Sequence, residues 1–203
     1  MMAYDIRKKL PYLMSSASQI EGSSIAAEEF STWDIDPAHS VAEFKVRHLM
    51  FSDVKGRFSG LSGVLKLDES DYAHSTVEVS FPAASMTLAD DKLDAHLKSE
   101  NFFNVGKFPT VTFRSTSIRY TGNKDYAVAG ELTIRGVTKA VALTVSEVSE
   151  PVRDAWANVC IGLSSSAKIN RKDFGLVWNE RLAFDGLVAD EVTITMNVQF
   201  IKA

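Results

Sequence analysis

Cysteine is almost absent from this chain: Cys160 is the only one in 203 residues, so no intrachain disulfide can form. It sits in A-N-V-C-I-G-L, an apolar strand-like run, where a free thiol reads as a small hydrophobe. Long apolar runs are missing too. Nothing approaches the roughly 20 consecutive apolar residues that a membrane-spanning helix needs. There is no basic stripe: 22 Lys and Arg face 26 Asp and Glu, for a net charge of −4. With a pI near 5.6, nucleic acid finds no electrostatic footprint here. Catalytic signatures are equally scarce. The chain has no G-x-S-x-G, and Asp173-Phe174-Gly175 lacks the Gly-rich loop and H-R-D that would make it a kinase motif. Four scattered histidines with one cysteine lack the spacing of a zinc site, so neither a metal nor a catalytic residue is expected.

What the chain does have is alternation. Phe44, Val46 and His48 share one face of Val41 to His48, with Glu43, Lys45 and Arg47 on the other. Val77, Val79 and Phe81 alternate in the same way before Pro82, which should end that strand. Thr112–Ile118 and Tyr126–Ile134 read as a hairpin about the turn Gly122-Asn123-Lys124-Asp125. Arg135-Gly136 is a second tight turn leading into Val137 to Val148. Trp156 to Ile169 and Glu191 to Lys202 complete the set, the latter with Val192, Ile194, Met196, Val198 and Phe200 on one face. Gly56, Gly60 and Gly63 mark bends of the kind a closing barrel needs.

One helix interrupts the strands. Asp90 or Thr87 can cap it, and Leu93, His96 and Leu97 form its apolar stripe. An aromatic turn with Phe102, Phe103 and Phe108 follows, closed by Pro109. About eight strands and one helix point to an all-β fold: an antiparallel eight-stranded barrel with a short helical insertion, wide enough for side chains or one ligand. Residues 31–203 form that domain. Residues 1–30 read as a flexible N-terminal tail, because Leu10–Met14 after Arg7, Lys8 and Lys9 is too short for the core of a signal peptide. That places the chain in the cytoplasm, with the periplasm as the alternative.

W-D-I-D-P-A-H-S (Trp33 to Ser40), F-K-V-R-H (Phe44 to His48) and G-R-F-S-G (Gly56 to Gly60) together resemble the opening of the YceI-like family. D-A-H-L-K-S-E-N-F-F-N (Asp94 to Asn104), K-F-P-T-V-T-F (Lys107 to Phe113), L-T-I-R-G-V-T-K (Leu132 to Lys139) and I-N-R-K-D-F-G-L (Ile169 to Leu176) continue the resemblance in order, from about Thr32 to Ile201. It implies an extended lipocalin-like barrel that binds an amphiphilic chain, such as a polyisoprenoid, prenyl quinone or fatty amide, as a homodimer and without other cofactor. Family members commonly carry a basic residue before the Asp of D-x-H-L, where this chain has Leu93.

The polar end of such a ligand has four candidate contacts: His48, Asp94, His96 and Arg171. Phe44, Val46, Phe103 and Phe113 are the candidate apolar contacts. His48 also reads as a core histidine bonded to a carbonyl, and Asp94 with His96 as a pair fixing the helix to the barrel. Arg171 and Lys172 suit an anionic head or a solvated loop. Trp33, Trp156 and Trp178 read as core, or as cavity lining if the barrel is wide. The leading function is storage or transport of a lipid. The alternatives are an enzyme acting on a prenyl compound, with His48 and Asp94 as its acid–base pair, and a stress-related scaffold whose barrel is filled by its own side chains.

Overall fold

A computed structural model describes residues 30–88, 90–179 and 188–203. The tail expected over residues 1–30 lies outside it except for Phe30, which begins the first strand.

Two of the barrel strands are broken in half. β1 (Phe30–Ile35) and β2 (Val41–His48) both run antiparallel to β11 (Val188–Lys202), with Trp33 opposite Lys202 and Val41 opposite Asn197. The break at Asp36–Ser40 is held by Asp36, which accepts the Ala38 N–H and meets His39 at 2.6 Å. Ser40 Oγ accepts the Gln199 N–H, and Asp36 N–H donates to Gln199 O, so the bend is tied to β11. The next strand breaks at the same level, into β3 (Ser52–Phe58) and β4 (Ser62–Asp68), about Gly60 at φ 68°. β2 pairs with β3, and β1 pairs with β4.

The circuit continues through β5 (Thr76–Pro82), β6 (Thr110–Gly122), β7 (Asp125–Ile134), β8 (Val137–Ser146) and β10 (Val159–Asn170). β10 then pairs with β11 over eleven positions and closes the ring. Counting each broken strand once, the closed barrel has eight antiparallel strands. β9 (Val152–Arg153) is a two-residue addition to the end of β10. The β2–β3 hairpin extends from β11 beside that ring, and the outer side of β3 has only the bridge from Arg57 to Thr87 among the described residues.

Two glycines let aromatic rings lie inside the wall. Phe44 stands opposite Gly56 in the β2–β3 ladder, and a Cβ at Gly56 would collide with its ring. Gly130 likewise leaves room for the Phe113 ring, and lies against the Arg114 carbonyl. Glycine opposite an aromatic is a recurrent device for keeping a tightly curved sheet packed.

Helix α1 (Asp91–Lys98) follows β5. The Asp90 carboxylate accepts the N–H groups of Lys92 and Leu93 and caps it, as the sequence implied. The turn after it is compact: Phe103 N–H donates to Leu97 O, and Asn104 N–H to Ser99 O. Two of the strand boundaries differ from expectation. β10 begins at Val159 rather than Trp156, because Asp154 accepts from Trp156 N–H, Asn158 N–H and the Asn158 amide and folds residues 154–158 into a turn. Trp156 is therefore 77% exposed and not core. β11 begins earlier, at Val188, where it still reaches His48.

Candidate ligand cavity

The inward residues of the strands do not fill the barrel. Two cavities lie end to end along its axis. Val79, Phe113, Leu143 and Met196 line both and form the waist between them.

The helix-side cavity has a volume of about 320 Å³. Its walls are almost wholly apolar, from Phe44, Val46 and Phe58 on one side to Ile134, Ile169 and Ile194 on the other. Helix α1 presents Leu93, His96 and Leu97 to it, the stripe expected from the i, i+3, i+4 spacing. The His96 ring packs edge-on against Trp178, centroids 4.4 Å apart, and its Nε2 is buried with no hydrogen-bond partner among the described residues. Phe58 gathers the aromatic wall, 5.9 Å from Phe44, 4.9 Å from Phe81 and 5.9 Å from Phe103.

The second cavity is larger, about 490 Å³, and opens at the other end of the barrel. Trp33, Leu65, Val128, Ile161 and Phe200 line its depth. Tyr72 and Tyr120 both pack on Tyr126, at 5.6 Å and 5.4 Å. Burial, with Tyr72 beside it, holds the Tyr126 hydroxyl above its ordinary pKa. Lys124 and Glu150 pair at 2.6 Å on the rim. Ser165 lines this cavity, and its Oγ is buried without a partner among the described residues.

Seven of the eight expected contact residues meet at the helix-side cavity: Phe44, Val46, His48, His96, Phe103, Phe113 and Arg171. Asp94 does not. Its carboxylate accepts the Leu88 N–H at 2.7 Å, so it ties the start of the helix to the segment that leads into it, and among the described residues no hydrogen bond or ion pair joins it to His96. Among the described residues no hydrogen bond or ion pair joins His48 to Asp94, and the acid–base pair the sequence allowed is not assembled. His48 instead lies 3.5 Å from Ser52 Oγ.

Arg171 needs a correction. Only 2% exposed, it sits in the 3₁₀ turn Arg171–Phe174 and uses all five of its N–H donors on the chain itself. Nε donates to Ala189 O, Nη1 to Leu176 O and Trp178 O, and Nη2 to Val188 O and Asp190 Oδ1. No donor remains for an anionic head. Burial lowers its pKa and Asp190 opposes that shift. Arg135 makes a similar tie, donating to Glu100 O and Gly175 O and so joining the turn after α1 to the turn after β10. Both arginines position the cavity's cover.

The second cavity escaped the sequence reading. Its signal was present, since the expected inward face of β11 runs from Val192 to Phe200 and so spans both cavities. Cys160 is inert by environment: burial, then the neighbouring Asp154 carboxylate, push its thiol pKa up.

A closed antiparallel barrel with a hollow apolar interior and a helix over one end defines a lipocalin-like barrel. The profile of the YceI-like domain matches residues 33–200, and the chain belongs to that family. A UPF0312 protein of Photorhabdus laumondii is 34% identical over 169 residues, covering 83% of this chain and 86% of its own length. Among solved structures, a YceI protein of Campylobacter jejuni aligns with a TM-score of 0.65 at 26% identity, over 77% of this chain and 90% of that one. A polyisoprenoid binding domain from Saccharophagus degradans has the same fold, with a TM-score of 0.60 at 16% identity, over 86% of this chain and 100% of that domain.

Proposed function

We propose that this protein binds the apolar tail of a long-chain amphiphile inside the barrel, and stores or carries it unchanged. The observation that carries the reading is the pair of stacked cavities, about 490 Å³ and 320 Å³, the smaller lined almost entirely and the larger mostly by apolar side chains. Binding sites for small organic molecules are of this size and character. A barrel serving only as a scaffold would fill that space, because empty apolar volume forfeits packing energy.

Magnitudes favour a long tail. Each buried methylene contributes about 0.8 kcal/mol. Association itself costs roughly 4–15 kcal/mol. A tail of a few carbons would not offset that cost, whereas a polyisoprenoid, prenyl quinone or fatty amide would. The Saccharophagus degradans neighbour, described as a polyisoprenoid binding domain, supports the same class of ligand. The unassembled His48 and Asp94 favour carriage over catalysis. With Arg171 fully engaged, the ligand we expect has an uncharged head, and of the four expected polar contacts His48 and His96 are the two that line the helix-side cavity with a ring nitrogen to offer it.

Tryptophan fluorescence tests this reading, because Trp33 lines one cavity and Trp178 the other. Titration with a prenyl quinone should quench both saturably, with Trp178→Phe removing the helix-side share. Unchanged fluorescence, with no uptake of fatty amide or polyprenol either, would rule the carrier out.

A further inference from the structure

The turn between β2 and β3 differs from the other turns with consecutive positive φ among the described residues. Leu49 and Met50 both have positive φ, 49° and 64°. The backbone closes with Phe51 N–H donating to His48 O. Residues with Cβ atoms pay sterically for this conformation, which is why such turns favour Asn and Gly. The two other turns with consecutive positive φ follow that preference in part: Asn123-Lys124 is polar and Arg135-Gly136 includes a glycine. Here the positions hold two apolar side chains, followed by a third. Met50 is 60% exposed and Phe51 74%. A sequence that accepts both backbone strain and exposed apolar surface at one turn points to a role for that surface.

The hairpin behind the turn is two-faced. Its inner side chains, Phe44, Val46, His48 and Val54, line the helix-side cavity. Its outer ladder sets Glu43 opposite Arg57, Lys45 opposite Lys55, and Arg47 opposite Asp53. Arg47 and Asp53 pair at 3.0 Å, but the two facing lysines have no ion-pair partner among the described residues. Like charges directly opposite one another repel. Four cations to two carboxylates make this hairpin basic in a chain whose net charge is −4. The far end of the barrel also exposes an aromatic, Trp156, but its turn is built on Asp154, and the rim of that cavity holds Glu69 and Glu150 against Lys124.

We propose that the Leu49–Phe51 turn docks this protein onto an anionic lipid bilayer. Met50 and Phe51 enter the interface while Lys45 and Lys55 meet the acidic headgroups, which brings the mouth of the helix-side cavity to the lipid surface. An apolar tip on a basic stem is the composition that binds such surfaces. The facing lysines then relieve their repulsion against headgroup anions. The inner face of the same hairpin gives an apolar tail a continuous path from bilayer to cavity.

Flotation of the full chain with vesicles tests the proposal without reference to cargo. The protein should float with phosphatidylcholine vesicles containing phosphatidylglycerol, less so at high salt, and poorly with phosphatidylcholine alone. Joint Met50→Ser and Phe51→Ser substitution should weaken binding about tenfold or more. Joint Lys45→Gln and Lys55→Gln substitution should weaken it about thirtyfold at low salt. Trp156→Ser should have no effect. Replacing Leu49→Asn with Met50→Gly supplies the residues the backbone prefers. That variant should melt higher than the parent and still float less, a combination that a purely structural turn would not give. Absence of flotation with the anionic vesicles, flotation undiminished by loss of Met50 and Phe51, or a Phe51-dependent dimer in place of vesicle binding would each overturn the proposal.

Discussion

The edge of the His96 ring rests on Trp178, centroids 4.4 Å apart and planes at 63°. Through this contact helix α1 is fastened to the segment following β10, whose backbone Arg171 holds at Leu176 and Trp178. The cavity's cover is thus two pieces of chain meeting at one aromatic contact. Such a pair contributes about 0.5–1.5 kcal/mol beyond its buried area. Trp178→Ala should therefore release bound ligand about tenfold faster, read by stopped-flow displacement, with the barrel still folded. His96→Leu should melt no lower than the parent, because it removes a buried nitrogen that has no partner among the described residues.

Arg171 holds that segment with all five of its N–H donors. Lysine keeps the charge but cannot reach five acceptors in fixed directions. Arg171→Lys should lower stability by about 2–4 kcal/mol. Ligand affinity should fall in equal proportion for neutral and anionic heads. A selective loss of anionic ligands in a competition assay would contradict this.

Acid stability should carry the mark of Asp68. Its carboxylate accepts from Ser70 Oγ, Ser70 N–H and Asp71 N–H, and meets His74 at 3.3 Å. Those bonds, led by the Ser70 hydroxyl, lower its pKa from 3.8 to about 2. A folded-state value below the unfolded one adds stability that is present above the unfolded pKa and is lost as pH falls through the folded one. Urea unfolding of the parent should thus weaken from about pH 4 towards pH 2. Asp68→Asn should be less stable at neutral pH and show a flatter slope through that window.

The waist sets how long a tail can be. Met196 lines both cavities with Val79, Phe113 and Leu143. Met196→Trp should close the passage, so that the mutant retains medium-chain fatty amides and loses long polyprenols. Equal retention of both would mean that the two cavities fill independently.

Much of this architecture was legible in the sequence. The period-2 runs of β2 and β5 match the observed strands, and the inward face of β11 was read from Val192 to Phe200. The helix stripe Leu93, His96 and Leu97 faces the cavity as its spacing required. Long-range partners were not legible. Nothing local says that Asp94 would meet Leu88, or that the Arg171 fork would close on carbonyls from residues 176–189. Both are charged residues in family motifs, and alternation says only which way a side chain points, not what it finds. Trp156 failed for a related reason: the Asx turn at Asp154 ended the strand before it, against the tryptophan's own preference for burial.

The central claim is that the hollow barrel carries a long-chain amphiphile. Native mass spectrometry of the purified full chain, followed by organic extraction and mass analysis of what is released, tests it most directly. The expected result is a one-to-one adduct of prenyl or fatty mass that reloads after stripping and is shortened in Met196→Trp. A bare protein mass that stays bare after incubation with prenyl quinones, polyprenols and fatty amides would contradict it.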